Sequence, residues 1–187
     1  MADIEGIKTA NFKFNERAKT LSDKYKVPLL KNKFVNNYIL LDENPKLHLR
    51  TMALENSFIK GKFSSRISRY QTEHLIKKAF GLESDKEKII LDTTGGLGHD
   101  AFILALLGQR VTVVEKNIGL CILLEEALRA LPELPYFKKA KSNLTVVNAD
   151  SRKFLTTSQN FDVIYVDPMF DSQKKLKRSK QMEFLDN

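Results

Sequence analysis

The stretch Ile89–Asn117, IILDTTGGLGHDAFILALLGQRVTVVEKN, decides the fold. Ile89, Ile90 and Leu91 form a short apolar run that stops at Asp92, and Gly95, Gly96 and Gly98 follow in a tight turn. From Asp100 the pattern turns helical: Ala101 to Leu107 are apolar nearly all round, as in a buried helix, and Gly108 supplies a left-handed stop. Val111 to Val114 then predicts a second fully buried strand, ending in Glu115. Strand, glycine turn, helix and strand make one βαβ unit.

Glycines at a strand-to-helix turn let the backbone approach a ligand, and the helix start behind them offers free N–H groups and a positive dipole end. Glu115, closing the second strand, is placed to accept hydrogen bonds from the two hydroxyls of a ribose, which implies an adenosine-containing cofactor. Gly96, Gly98 and Ala101 also satisfy the G-x-G-x-x-A dinucleotide fingerprint, so a nicotinamide-dependent oxidoreductase is one reading. Asp92 favours S-adenosylmethionine instead. A carboxylate at that strand tip would repel a pyrophosphate and face an ammonium or a bound water. Asn148, Ala149, Asp150 and Ser151 end a third predicted strand, and Val163–Val166 runs into Asp167, Pro168, Met169 and Phe170. All four strands end in carboxylates, and in an open α/β sheet such ends converge on one crevice.

Residues 89–184 resemble the RsmJ-type 16S ribosomal RNA guanine-N2 methyltransferases. The likeness is carried by DTTGGLGHDAFILALLGQRVTVVEKN, by LTVVNADS and by DVIYVDPMFDSQKKLKRSKQMEF. Methionine after Asp-Pro, then an aromatic and a lysine-rich helix, is particular to this family; wider amine methyltransferases carry Pro-Pro there. The resemblance implies S-adenosylmethionine as cofactor, held at the glycine turn with His99, Asp100, Glu115, Lys116, Asp150, Ser151 and Asp167 matching the cofactor contacts. It implies 16S ribosomal RNA, or the small ribosomal subunit, as partner. His99 and Lys116 stand where arginine is usual in the family, and His99 alone would read as a solvent-facing loop histidine. Asp100, in a first helical turn, also reads as a cap or dipole partner, and Asp150 equally as an N-cap for the segment at Arg152.

For the reaction the expected residues are Asp167, Pro168 and Phe170. The exocyclic amine of guanine is a poor nucleophile because its lone pair is delocalised, so positioning does most of the work. Asp167 and the Pro168 carbonyl would accept the two amine hydrogens and stabilise the charge the nitrogen gains, while Phe170 would stack on the base or merely plug the strand end.

The rest of the chain sets bounds. Its 187 residues, 42% hydrophobic, suffice for a real core. The expected class is α/β: a Rossmann-like S-adenosylmethionine-dependent methyltransferase sheet of about four parallel strands in the order 3-2-1-4, with a small N-terminal α+β region. The expected boundary lies at residue 66, giving 1–66 and 67–187. In the first part, Phe14, Ala18, Leu21 and Tyr25 keep helical spacing, residues 38–41 and 47–49 read as a hairpin, and 58–63 as a further strand. A basic connection over 64–70 and a helix over 71–80 follow. Later, a helix over 118–131, a loop from Pro135 to about Ser142, a strand over 144–147 and a basic helix over 172–184 are expected.

Lysine and arginine outnumber acids 31 to 23, a net charge of +8, with a pI near 9.5, which favours polyanionic partners. Lys174, Lys175, Lys177, Arg178 and Lys180 follow the Asp-Pro turn, and Lys60, Lys62, Arg66 and Arg69, with Lys77 and Lys78, form a second group. Cys121, the single cysteine, excludes an internal disulfide and reads as a packed thiol. His48 and His74 lack partners at metal-ligand spacing, so no metal is expected. The sequence has neither a secretion signal nor a bilayer-spanning apolar run, so the cytoplasm is the expected location, without membrane association. A methyltransferase sheet of this type has seven strands, so a shortened chain with an intact cofactor half and impaired substrate binding is expected. The competing reading is a non-catalytic RNA-binding remnant.

Overall fold

The computed structural model describes residues 3–31, 34–50, 52–82, 86–156 and 160–167. In chain order it has β1 (Gly6–Thr9), α1 (Asn15–Tyr25), β2 (Asn37–Leu41), β3 (Lys46–Leu49), β4 (Met52–Glu55), α2 (Gly61–Ile67) and α3 (His74–Ala79). There follow β5 (Ile89–Asp92), α4 (His99–Leu106), β6 (Arg110–Glu115), α5 (Ile118–Arg129), α6 (Pro135–Asn143), β7 (Leu144–Asn148), α7 (Ser151–Thr156) and β8 (Val163–Tyr165). The described residues fall into two compact units. One holds the chain through Asn56 with Asn117–Glu126; the other holds Ser57–Lys116 and Ala127–Asp167.

The first unit is built on a mixed sheet in the order β1-β2-β3-β4, with β1 parallel to β2 and the rest antiparallel. Alternation buries Ile7, Ile39, Leu41, Leu47 and Leu54 on one face. Against them lies α1, whose Ala18, Leu21 and Tyr25 are buried at the expected spacing. The Tyr25 hydroxyl donates to Glu125 at 2.8 Å, and Arg17 donates to the buried Glu126 at 2.6 Å. Two features depart from expectation. β1 precedes the helix, where GIKT is too short to show a period, and the strand after the hairpin is β4.

In the second unit, residues 58–63 do not form a strand. Phe58 is buried and stacked on Phe102 at 4.1 Å, and a helix, α2, starts at Gly61, whose φ is +69°. The segment 64–70 is therefore largely helical. The sheet is parallel, in the order β7-β6-β5-β8, which is the expected 3-2-1-4. Its centre is apolar on both sides: Ile90, Leu91, Val111, Val113 and Val114 are each at most 2% exposed. α4 is buried from Ala101 to Leu106 and ends where Gly108 takes φ +87°. The expected loop after Pro135 is instead α6. Proline there opens the helix, at a position whose N–H would have no intrahelical partner anyway, and Phe137 packs towards Phe102 at 6.2 Å. Cys121 is buried. No helix among the described residues is long and apolar enough to cross a membrane.

Candidate functional site

All four parallel strands point their carboxyl ends the same way, so residues distant in sequence meet there. The turn after β5 lies flat against β6: the Gly95 N–H donates to Val114 O at 3.3 Å, and a Cβ on Gly95 would stand 2.3 Å from Val113 Cγ1. Gly96 and Gly98 then take φ +53° and +72°, the left-handed region that favours glycine. The Gly96 N–H donates to Glu115 Oε2 at 2.9 Å, so the half-buried Glu115 carboxylate is fixed beside the turn.

Asp92 is 3% exposed. Burial pushes its carboxyl up to about 6, against the lowering effect of the Thr94 hydrogen bonds, and the Asp100 and Glu115 charges add to the rise. Among the described residues, both hydrogen bonds that Asp92 accepts fall on Oδ1, from Thr94 N at 3.0 Å and Thr94 Oγ1 at 3.3 Å. The carboxylates of Asp100 and Glu115 lie close enough to Asp92 for their charges to act on it. Thr94 Oγ1 also accepts the Asp167 N–H at 2.9 Å, while Thr93 Oγ1 donates to Tyr165 O at 2.8 Å. The two threonines thus tie the end of β5 to the segment leaving β8.

Asp100 is held by two side chains that the sequence did not link to it: Arg66 donates to Oδ1 at 2.7 Å and the Tyr165 hydroxyl to Oδ2 at 3.1 Å. Arg66 reaches Glu73 as well, at 2.9 and 3.2 Å, so within the second basic group its charge is matched by two carboxylates. Lys77 donates to Gln71 O at 2.7 Å; Lys62, Arg69 and Lys78 are exposed. His99 is not the solvent-facing loop residue its position suggested. It begins α4, half-buried, stacks on Phe63 at 4.2 Å and meets Phe58 edge-on at 6.2 Å. Burial lowers its pKa, Asp100 opposing and Arg66 assisting, so the ring is neutral near pH 7.

At the end of β7, Asn148 Nδ2 donates to the carbonyls of Glu115 and Lys116 at 3.0 Å each, locking that strand end to β6. Lys116 is exposed. Asp150 caps α7, accepting the Arg152 N–H at 3.0 Å, and its ion pair with Arg152 at 2.8 Å holds it at about 2; Ser151 opens that helix. Asp167 is exposed. Pro168, Met169, Phe170 and the lysine-rich segment from Lys174 to Lys180 lie outside the described residues. The structure therefore gathers Asp92, Gly96, Gly98, Glu115 and Asp167 around one turn, with Asp100 and His99 at the helix start behind it.

Sequence reading missed Thr94, Tyr165 and the Arg66 link to Asp100. Thr94 had a visible signal, a hydroxyl between Asp92 and the glycines; Arg66 had none, being 34 residues from its partner. A cavity of about 320 Å³ lined by Lys77, Leu107, Gln109 and Lys139 lies at the opposite strand ends and contains none of these carboxylates. Among the described residues no group of three or more His, Cys, Asp or Glu side chains is placed to hold a metal ion.

Residues 21–187 match the family model described as "Putative SAM-dependent methyltransferase". The ribosomal RNA small subunit methyltransferase J of Francisella tularensis subsp. novicida is 36% identical over 148 residues, covering 78% of this chain and 61% of that protein. The enzyme of the same name from Francisella philomiragia is 32% identical over 148 residues, 78% of this chain and 62% of its own. The chain thus spans about 61% of the length of the curated relatives it matches. A solved SAM-dependent methyltransferase from Neisseria gonorrhoeae shares the fold, with a TM-score of 0.70 at 22% identity over 88% of this chain and 70% of that one. Fold and family model agree, and the chain belongs to the SAM-dependent methyltransferase family.

Proposed function

We propose that the chain binds S-adenosylmethionine at the glycine turn and directs methyl transfer to the exocyclic N2 of a guanine in 16S ribosomal RNA, free or in the small subunit, in the cytoplasm. The observation that carries this reading is the pair of bonds made by Thr94, which joins the buried Asp92 to the backbone of Asp167. Cofactor-side and substrate-side carboxylates are thereby held at adjacent strand ends.

The residues present fit the cofactor. Asp92 offers a carboxylate oxygen to its ammonium, the bare backbone of Gly96 and Gly98 admits close approach, and Glu115, steadied by Gly96, is set to accept from the ribose hydroxyls. Asp150 and Ser151 are proposed to face the adenine, and His99, Asp100 and Lys116 to complete the contacts. The cofactor supplies a methyl group on a positively charged sulfur. Asp167, with Pro168, would accept the amine hydrogens of the guanine and hold its nitrogen in line, and Phe170 would stack on the base. The Francisella relatives are named for the small-subunit ribosomal RNA, which supports RNA as the substrate here.

The test is transfer of labelled methyl to small-subunit RNA lacking the modification, with N2-methylguanine identified by mass spectrometry. Asp167→Ala is expected to slow transfer by about 10²- to 10³-fold at saturating cofactor, the cost of removing one transition-state acceptor. A folded chain that binds cofactor and RNA but transfers nothing would overturn the catalytic reading in favour of an RNA-binding remnant.

A further inference from the structure

The outer face of the N-terminal sheet carries side chains for which the proposed transfer site has no use. Alternation sends Ile7, Ile39 and Leu47 inward and puts Lys8, Tyr38, Lys46 and His48 on the opposite face, where each is half-exposed. Tyr38 and His48 are opposite each other on β2 and β3, and their rings stack at 4.5 Å with planes 5° apart. From β1, Lys8 Nζ stands 3.9 Å from the Tyr38 ring centroid. On the other side the register partner of His48 is the exposed, short Ala53 of β4. The Nε2 edge of the ring is buried and makes no hydrogen bond among the described residues, so the ring is placed by its stack on Tyr38. Burial, then the nearby charges of Lys46 and Lys8, lower the His48 pKa against Asp42. Lys46 is paired with Glu55 at 3.3 Å, an exposed contact that a phosphate can replace.

We infer that this face binds single-stranded RNA, with one unpaired base stacked on His48 above Ala53 and the neighbouring phosphates neutralised by Lys8 and Lys46. Aromatic rings standing on a four-stranded sheet, flanked by cations, take up splayed bases because every base has a stacking face, whereas a duplex keeps its bases stacked on each other. The +8 charge of the chain favours the same partner. The inference rests on RNA being the substrate, and it adds a second contact surface, in a different unit from the proposed transfer site.

The experiment is fluorescence anisotropy of the full chain with a labelled single-stranded oligoribonucleotide of small-subunit sequence and with its duplex. His48→Ala and Tyr38→Ala are expected to weaken single-strand binding about 5- to 100-fold, the worth of one base stack, and to leave duplex binding unchanged. Lys8→Gln is expected to weaken it several-fold and lower the salt slope by about one ion. Affinity for S-adenosylmethionine should not move. If Tyr38→Ala fails to fold, His48→Ala and Lys8→Gln carry the test. Single-strand binding by the wild type that the variants leave intact, or equal loss for single strand and duplex, would overturn this face alone. Absence of any RNA binding by the wild type would overturn the RNA-substrate reading with it.

Discussion

The two sheets of this protein have four strands each and use them in opposite ways. In the N-terminal sheet, mostly antiparallel, burial alternates along each strand, so chemistry gathers on a face: Lys8, Tyr38 and His48 sit on the side away from Ile7, Ile39 and Leu47. In the parallel sheet the central strands are apolar on both sides, leaving no face to carry polar groups. Their polar groups stand at the strand ends instead. Because all four run the same way, Asp92, Glu115, Asn148 and Asp167 reach one edge although 19 to 73 residues separate the members of their hydrogen-bonded pairs. Antiparallel strands cannot do this, since their carboxyl ends alternate sides.

The comparison is tested most severely at Asp92, the buried charge at the parallel strand ends. Its folded pKa, about 6, lies above the ordinary 3.8. The folded state therefore holds the proton more tightly than the unfolded chain, and this group's contribution to stability is full below about 3.8 and lost as pH rises through 6. The loss is on the order of 3 kcal/mol. Urea unfolding from pH 4 to 8 should show it as the difference between wild type and Asp92→Asn, the variant having the flatter profile. Affinity for a cationic cofactor should run the other way, strengthening as pH rises through 6. Parallel profiles for both proteins would mean that Asp92 is not a strained charge held for a ligand.

A smaller effect is expected at Gly95, where the turn lies on β6. Gly95→Ala forces a methyl to within 2.3 Å of Val113 Cγ1 and should cost about 1–3 kcal/mol in thermal or urea unfolding, with cofactor affinity falling too. Smaller still, Thr94→Val removes a hydroxyl that both donates to Asp92 and accepts from Asp167. Each of the two lost hydrogen bonds is worth about 1 kcal/mol, so the transfer rate should fall about 5- to 30-fold, with Thr94→Ser restoring it. A Thr94→Val enzyme at full rate would show that the two strand ends act independently.

The parallel sheet was legible because its signals are local: an apolar run stopped by Asp92, three glycines, a helix apolar from Ala101 to Leu107, and a second run stopped by Glu115. Its strand order followed from right-handed crossovers. What stayed hidden depends on partners remote in sequence or on a residue with two uses. Pro135 reads as a loop marker and serves as the first residue of α6. Phe58 and Phe63 suggest a strand, yet Phe58 packs on Phe102 and Phe63 on His99, both about forty residues away. The same holds in the site. Glu115 could be singled out from its place at a strand end, but that Gly96 steadies it, and that Arg66 and Tyr165 bracket Asp100, are facts of tertiary structure.

Isothermal titration of the purified chain with S-adenosylmethionine, alongside Glu115→Ala and with NAD as control ligand, addresses the central claim most directly. The strand-end site predicts binding by the wild type, none of NAD, and an affinity about 10- to 100-fold weaker in the variant, since a charged hydrogen-bond acceptor is removed. Equal affinity in a folded Glu115→Ala protein, or binding of NAD in preference to S-adenosylmethionine, would contradict it.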